Sequence, residues 1–112
     1  MEITKDLIAA SCTPLILTIL KDGDDYGYNI IKKIALVTDG ELKWKEGSLY
    51  PVLAKLEKRE YLSSYFQVQD GRKRKYYSLN ESGKNHLAKL KEEWNFLTQT
   101  MQLLWKSPTT SY

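Results

Sequence analysis

LSSYFQVQDGRKRKYYSL, residues 62–79, breaks the helical periodicity of the rest of the chain and decides the kind of fold it can adopt. Leu62 to Val68 and Lys73 to Leu79 are rich in Tyr, Phe, Val and Ser, residues that suit a pleated, half-buried surface. Between them lie Gln69, Asp70, Gly71 and Arg72, and Asp-Gly is the dipeptide of tight hairpin turns. The stretch therefore predicts a two-stranded hairpin. RKRK, Arg72 to Lys75, is the densest charge run in the chain and sits at the tip and on the return strand. Four like charges on one short hairpin repel one another, so the run makes physical sense when an anion neutralises it; a merely solvated basic turn is the bland alternative. Tyr76 and Tyr77 alternate faces, one packing inward and the other turned to solvent or a phosphate backbone.

Upstream of the hairpin, Leu49, Val52, Leu53 and Leu56 recur at helical spacing and predict a helix from near Gly47 to near Arg59. Ser48 and the backbone of its first turn are expected to be free to meet an anion. A short extended piece, Leu42 to Trp44, should precede it. Ile30, Ile31, Ile34 and Val37 mark the inner side of a second helix, about Tyr28 to Thr38, stopped by Asp39 and Gly40. The first helix spans Leu7 to Leu20, where Leu7 and Ile8, Ser11 and Cys12, Leu15 and Ile16, and Ile19 and Leu20 fall in pairs four apart. Pro14 inside it removes the bond to the Ala10 carbonyl, which predicts a kink or a fresh start capped by Thr13. Lys21 to Asp25 then supplies turn residues.

Downstream, Asn80 caps a last helix, and Glu81 suits the positive end of its dipole. There Leu87, Leu90, Trp94, Leu97, Met101 and Leu104 are spaced alternately three and four apart, an a/d stripe on a helix of about 40 Å. The stripe reads as the seam of a two-fold homodimer. Packing back on its own domain is the lesser alternative, because the helix is longer than the domain it would cover. Phe96, Leu103 and Trp105 lie off the stripe and are expected against the first helix.

Three helices, a hairpin and a long helix are the parts of a winged helix-turn-helix: a mainly α chain with a small β-wing and a C-terminal dimerisation helix. The expected division is a DNA-binding domain over residues 1–79, the dimerisation helix over 80–106 and a flexible tail, Ser107 to Tyr112. Groove geometry divides the labour. An α-helix fits the major groove, so Ser48, Leu49, Tyr50 and Pro51 are expected at base edges, supported by the charge of Lys55, Lys58 and Arg59. Arg72, Lys73, Arg74 and Lys75 should hold phosphates or enter the minor groove of double-stranded DNA, with Tyr26 and Tyr77 completing the set.

Composition agrees. The 112 residues suffice for one domain and one appended element, and 42% hydrophobic with 28% charged residues excludes wholesale disorder. A net charge of +3 identifies no partner by itself; its concentration on the hairpin is more informative. The single Cys12 forms no internal disulfide, and no leader pattern opens the chain, so a reducing, cytoplasmic setting is expected. Apolar runs of a few residues are too short to span a membrane. His86 and Cys12, one of each, lack zinc-ligand spacing, and neither a phosphate loop nor a nucleophile–base pair occurs; no enzyme, metal or cofactor is expected.

GSLYPVLAKLEK (Gly47 to Lys58), YGYNI (Tyr26 to Ile30) and GRKRKYYSLNESG (Gly71 to Gly83) resemble the PadR family of bacterial transcriptional regulators, over about Thr13 to Trp94. The short single C-terminal helix is similar to that of the smaller, LmrR-like subgroup. The resemblance implies a homodimeric repressor on an operator with two-fold symmetry, often upstream of a transporter or detoxification gene. It also implies an effector site, in which a tryptophan from each long helix stacks on a planar aromatic molecule at the dimer centre. Trp94 matches that tryptophan, with Ile8, Ser11, Cys12 and Leu15 from the first helix and Asn95 and Thr98 nearby. Lys91, one turn earlier, would put a charge near its mouth. Glu60 departs from the pattern where glycine is usual, so the third helix is expected to end without a left-handed cap. Asn80 replaces threonine, and both cap well. A protein-interaction module built on the same parts is the competing class; a wing that binds protein has little need of RKRK.

Overall fold

The structure, a computed structural model, describes residues 1–106, so the expected tail Ser107 to Tyr112 lies outside the described residues. The elements run α1 (Lys5–Lys21), β1 (Asp25–Tyr26), α2 (Gly27–Val37), α3 (Glu46–Lys58), β2 (Leu62–Gln69), β3 (Arg72–Leu79) and α4 (Glu81–Lys106). This is the expected winged-helix order with one addition, the strand β1.

α1 continues through Pro14 without a second start, and its N-cap is Thr4, whose hydroxyl accepts the Leu7 N–H at 3.3 Å, rather than Thr13. Ala10, whose carbonyl loses its partner to Pro14, is exposed, which lowers the cost of the missing bond. Burial of Cys12, Ile16, Leu17 and Leu20 holds the helix across the gap. The region expected to be extended before α3 is irregular chain, though Trp44 within it is buried.

Asp25 and Tyr26 pair with Tyr77 and Tyr76, so the sheet has the order β1-β3-β2 with the cationic strand in the middle. Asp25 is buried and fully engaged. Its carboxylate accepts the Tyr26 N–H and the Asn29 amide, both at 2.9 Å, and pairs with Lys33 at 2.7 Å. That network anchors the start of α2, where Tyr26 makes no side-chain cap bond of its own. The hairpin register from Leu62↔Leu79 to Gln69↔Arg72 leaves only Asp70 and Gly71 as the loop, both at positive φ (52° and 76°). This is the primed turn that Asp-Gly favours.

The exit from α3 overturns one expectation. Glu60 does adopt a left-handed backbone, φ 64°, and the Tyr61 N–H closes the helix on the Leu56 carbonyl at 3.0 Å. Burial of Leu62 just beyond it demands the turn, and the Asn80 amide donates to the Glu60 carbonyl at 2.6 Å. Asn80 also caps α4 as expected, accepting the Gly83 N–H at 2.9 Å.

The core draws Ile16 and Leu17 from α1, Ile30 and Ile34 from α2, Leu49, Leu53 and Leu56 from α3, and Leu62, Tyr77 and Leu79 from the sheet. Leu87 completes it from α4, and Leu90 packs against its edge. The first turns of α4 therefore close the head, and the rest projects, giving extents of 64 × 31 × 21 Å.

Candidate nucleic-acid interface

Leu49, Leu53 and Leu56 form the inner stripe of α3, so its opposite side presents Ser48, Tyr50, Pro51 and Lys55 outward. Leu49 was expected at base edges but is 1% exposed and belongs to the core. The Ser48 N–H is not free for an anion, since it bonds the Lys45 carbonyl at 3.0 Å; its side chain is exposed. Burial, followed by the nearby Glu46 and Tyr77, pushes the Tyr50 phenol above its ordinary range, and Arg74 opposes the shift. The Tyr50 ring also lies against Gly27, next to Tyr26, whose own ring carries Arg74 of the wing.

The pairing of Tyr26 with Tyr76, and of Tyr76 with Tyr65, puts three tyrosines on the outer face of the sheet. Tyr26 meets Tyr76 edge-on at 5.3 Å, and Tyr65 stacks on Tyr76 at 5.7 Å. Arg74 lies over the Tyr26 ring, its guanidinium carbon 4.4 Å from the centroid. Tyr65 donates to Asp24 at 2.7 Å, which raises its phenol pKa, and Tyr76 donates to Gln69.

Tyr77 is the inward residue, 4% exposed, with burial raising its pKa. The outward tyrosine expected at a phosphate backbone is therefore Tyr76. The four wing cations are also unequal. Lys75 sits 3.6 Å from Glu57 of α3, which also accepts the Ser64 hydroxyl, so its charge is partly compensated. Lys73 lies 4.8 Å from the Phe66 ring centre. Arg72, Lys73 and Arg74 make no ion pair among the described residues. Phe66 and Val68, on the same face as Lys73 and Lys75, are exposed, which their apolar character alone does not foretell.

On α4 the expected seam divides. Leu87 is core within its own chain and Leu90 is half-buried, while Trp94, Leu97 and Leu104 are exposed and Met101 partly so. Phe96, Leu103 and Trp105 were expected against the first helix, yet all three stand in solvent within one chain, because the head ends near Leu90.

One chain does not bring the expected effector residues together. Ile8 and Cys12 line a cleft of about 570 Å³ with Trp44, Ser48 and Val52, and burial raises the Cys12 thiol pKa. Leu15 lines a different cleft with Ile19, Leu36 and Val37, while Ser11 is bonded to the Ile8 carbonyl at 3.0 Å. Trp94, 37% exposed, borders a shallow depression of about 500 Å³ with Glu93, Phe96 and Leu97. Asn95 and Thr98 are exposed beside it. Among the described residues no cluster of three or more metal-ligating side chains occurs, and no helix is long and apolar enough to cross a membrane.

Comparison with known proteins gives one answer. Residues 16–89 match the model of the transcriptional regulator PadR-like family. An uncharacterised protein of Lysinibacillus sphaericus is 35% identical over 102 residues, 90% of this chain and 94% of that protein. Among solved structures, a transcriptional regulator from Clostridium thermocellum superposes with a TM-score of 0.82 at 34% identity, covering 89% of this chain and 95% of that one. A Streptococcus mutans protein reaches 0.80 at 40% identity, covering 93% and 94%. A PadR family transcription regulator from Clostridium difficile gives 0.74 at 34% identity, covering 85% and 98%. The basic wing packed beside an exposed helix head, and a family match across most of the head, lead to one conclusion: the chain belongs to the PadR-like family of transcriptional regulators, proteins that act on DNA and are not enzymes.

Proposed function

We propose that this chain is a homodimeric repressor of the LmrR-like kind, binding a two-fold operator upstream of a transporter or detoxification gene. The observation that carries the reading is the meeting of three elements at one surface: Tyr50 from α3, Tyr26 at the start of α2 and Arg74 from β3. Residues 1–79 act as the reading head. Ser48, Tyr50 and Pro51 approach base edges in the major groove, with Lys55 behind them. Arg72, Lys73 and Arg74 bind phosphates or the minor groove, and Tyr76 lies beside them.

Residues 80–106 act as the dimer arm. Trp94, Leu97, Met101 and Leu104 pair with a second copy, which sets two heads about 34 Å apart along the duplex. A planar aromatic effector sits at the dimer centre between the two Trp94 rings, with Ile8, Ser11, Cys12, Leu15, Asn95 and Thr98 around it. The part-exposed Trp94, at a seam position where leucine is usual, supports a site left open for a flat molecule.

A gel shift with the duplex upstream of the chain's own gene tests the main reading. Binding that exceeds that of a scrambled duplex and weakens steeply with salt is expected; equal affinity for both would sink the repressor assignment. Quenching of tryptophan fluorescence by planar aromatics tests the effector site, and quenching retained in Trp94→Ala places the ligand elsewhere.

A further inference from the structure

We propose that Gly27 is a positioning residue for base discrimination: its missing side chain seats the Tyr50 ring on the start of α2. This rests on the reading that the head of α3 meets base edges. Gly27 is buried, and it is not among the glycines with a left-handed backbone, so conformation does not require glycine there. Glycine in a helix is less stable than alanine by about 1 kcal/mol, which makes its presence at the first residue of α2 a question of space. The space is occupied. A Cβ at this position would lie 2.7 Å from Cε1 of Tyr50, 2.8 Å from Cζ and 2.8 Å from its hydroxyl oxygen. These separations are well inside van der Waals contact, so either the ring or α3 must move.

The consequences follow from what surrounds that ring. Tyr50 is flanked on α3 by Ser48 and Pro51, and it is 41% exposed on the side away from Gly27. Its backbone neighbour in the contact, Tyr26, carries the Arg74 guanidinium. Two consecutive residues, Tyr26 and Gly27, thus hold one contact from the wing and one from α3. A ring displaced by a methyl group at position 27 swings toward the space that base edges would fill. The cations at Arg72 and Lys73 lie on the wing, outside α3. Gly27 therefore governs which duplex is preferred, while general attraction to DNA is set elsewhere.

The test uses the full-length dimer, a duplex enriched by the wild type from a randomised pool, and a scrambled duplex of equal composition. Dissociation constants for both, across a salt series, are measured for the wild type, Gly27→Ala, Tyr50→Ala and the double variant. Gly27→Ala is expected to lower the preference for the selected duplex about tenfold, with scrambled-duplex affinity and salt slope unchanged. In the Tyr50→Ala background the same change should do nothing further, because the ring atoms the added methyl group would strike are gone. In a folded Gly27→Ala protein, a merely structural role predicts something else: equal loss on both duplexes, or the same loss with and without Tyr50. Either result overturns the proposal. If Gly27→Ala does not fold, the double variant decides. A folded double variant matching Tyr50→Ala in preference supports the seat, and one that also fails to fold refutes it. A wild type that enriches no sequence overturns the reading of α3 itself, and this inference with it.

Discussion

Glu60 holds a backbone conformation, φ 64°, that a Cβ disfavours by about 1–2 kcal/mol and glycine tolerates. Two hydrogen bonds and the buried Leu62 impose it. Glu60→Gly is accordingly expected to stabilise the fold by about 0.5–1 kcal/mol, after the greater freedom of glycine in the unfolded chain is subtracted. A higher urea midpoint at unchanged m-value is the expected signature, and an unchanged or lower midpoint would show that the turn is relaxed in its native form. The tyrosines give a pH dependence of definite sign. Tyr50 and Tyr77 are raised mainly by burial, and the surface Tyr65 by its bond to Asp24. The unfolded chain loses these protons first, near pH 10, while the folded chain keeps them. Stability from this source is complete below that pH and is lost as the pH climbs through the folded values. In a phenolate absorbance titration the native protein should lag behind the denatured one; coincident curves would contradict the packing of Tyr50 and Tyr77.

Among the elements, the wing makes the sharpest prediction. Arg74 lies on an aromatic ring with no carboxylate partner among the described residues, whereas Lys75 is held near Glu57. Arg74→Ala should reduce the salt slope of DNA binding by about one, and Lys75→Ala by less. Equal slopes for the two variants would show that the Glu57 contact does not persist on DNA. The hairpin itself was legible because Asp-Gly and a change of period are local signals. β1 was not, since two residues have no period and exist as a strand only through their pairing with β3. The orientation of the tyrosines was nearly within reach: Leu79 is inward, and stepping back two residues along the strand puts Tyr77 inward too. Leu49 carried the same kind of signal through its spacing with Leu53 and Leu56. The seat at Gly27 had none, because it depends on a ring from another helix. The α4 stripe announced an apolar seam but not its partner, so Leu87 and Leu90, which face their own head, looked like the rest.

At the scale of the whole molecule, more than half of α4 projects beyond its head, with Leu97 and Leu104 exposed and Trp94 partly so. If this is the seam, Leu97→Asp should leave the head folded, as seen by circular dichroism, and yield a single subunit in sedimentation equilibrium at micromolar concentration. Operator affinity should fall with it, and a variant that remains paired would move the interface elsewhere.

If the projecting half of α4 pairs with a second copy as proposed, abundance itself becomes a control variable. In the dilute regime the population of matched arms grows as the square of synthesis, so halving production would cut promoter occupancy about fourfold. On that reading the response to dosage is built into one overhanging helix.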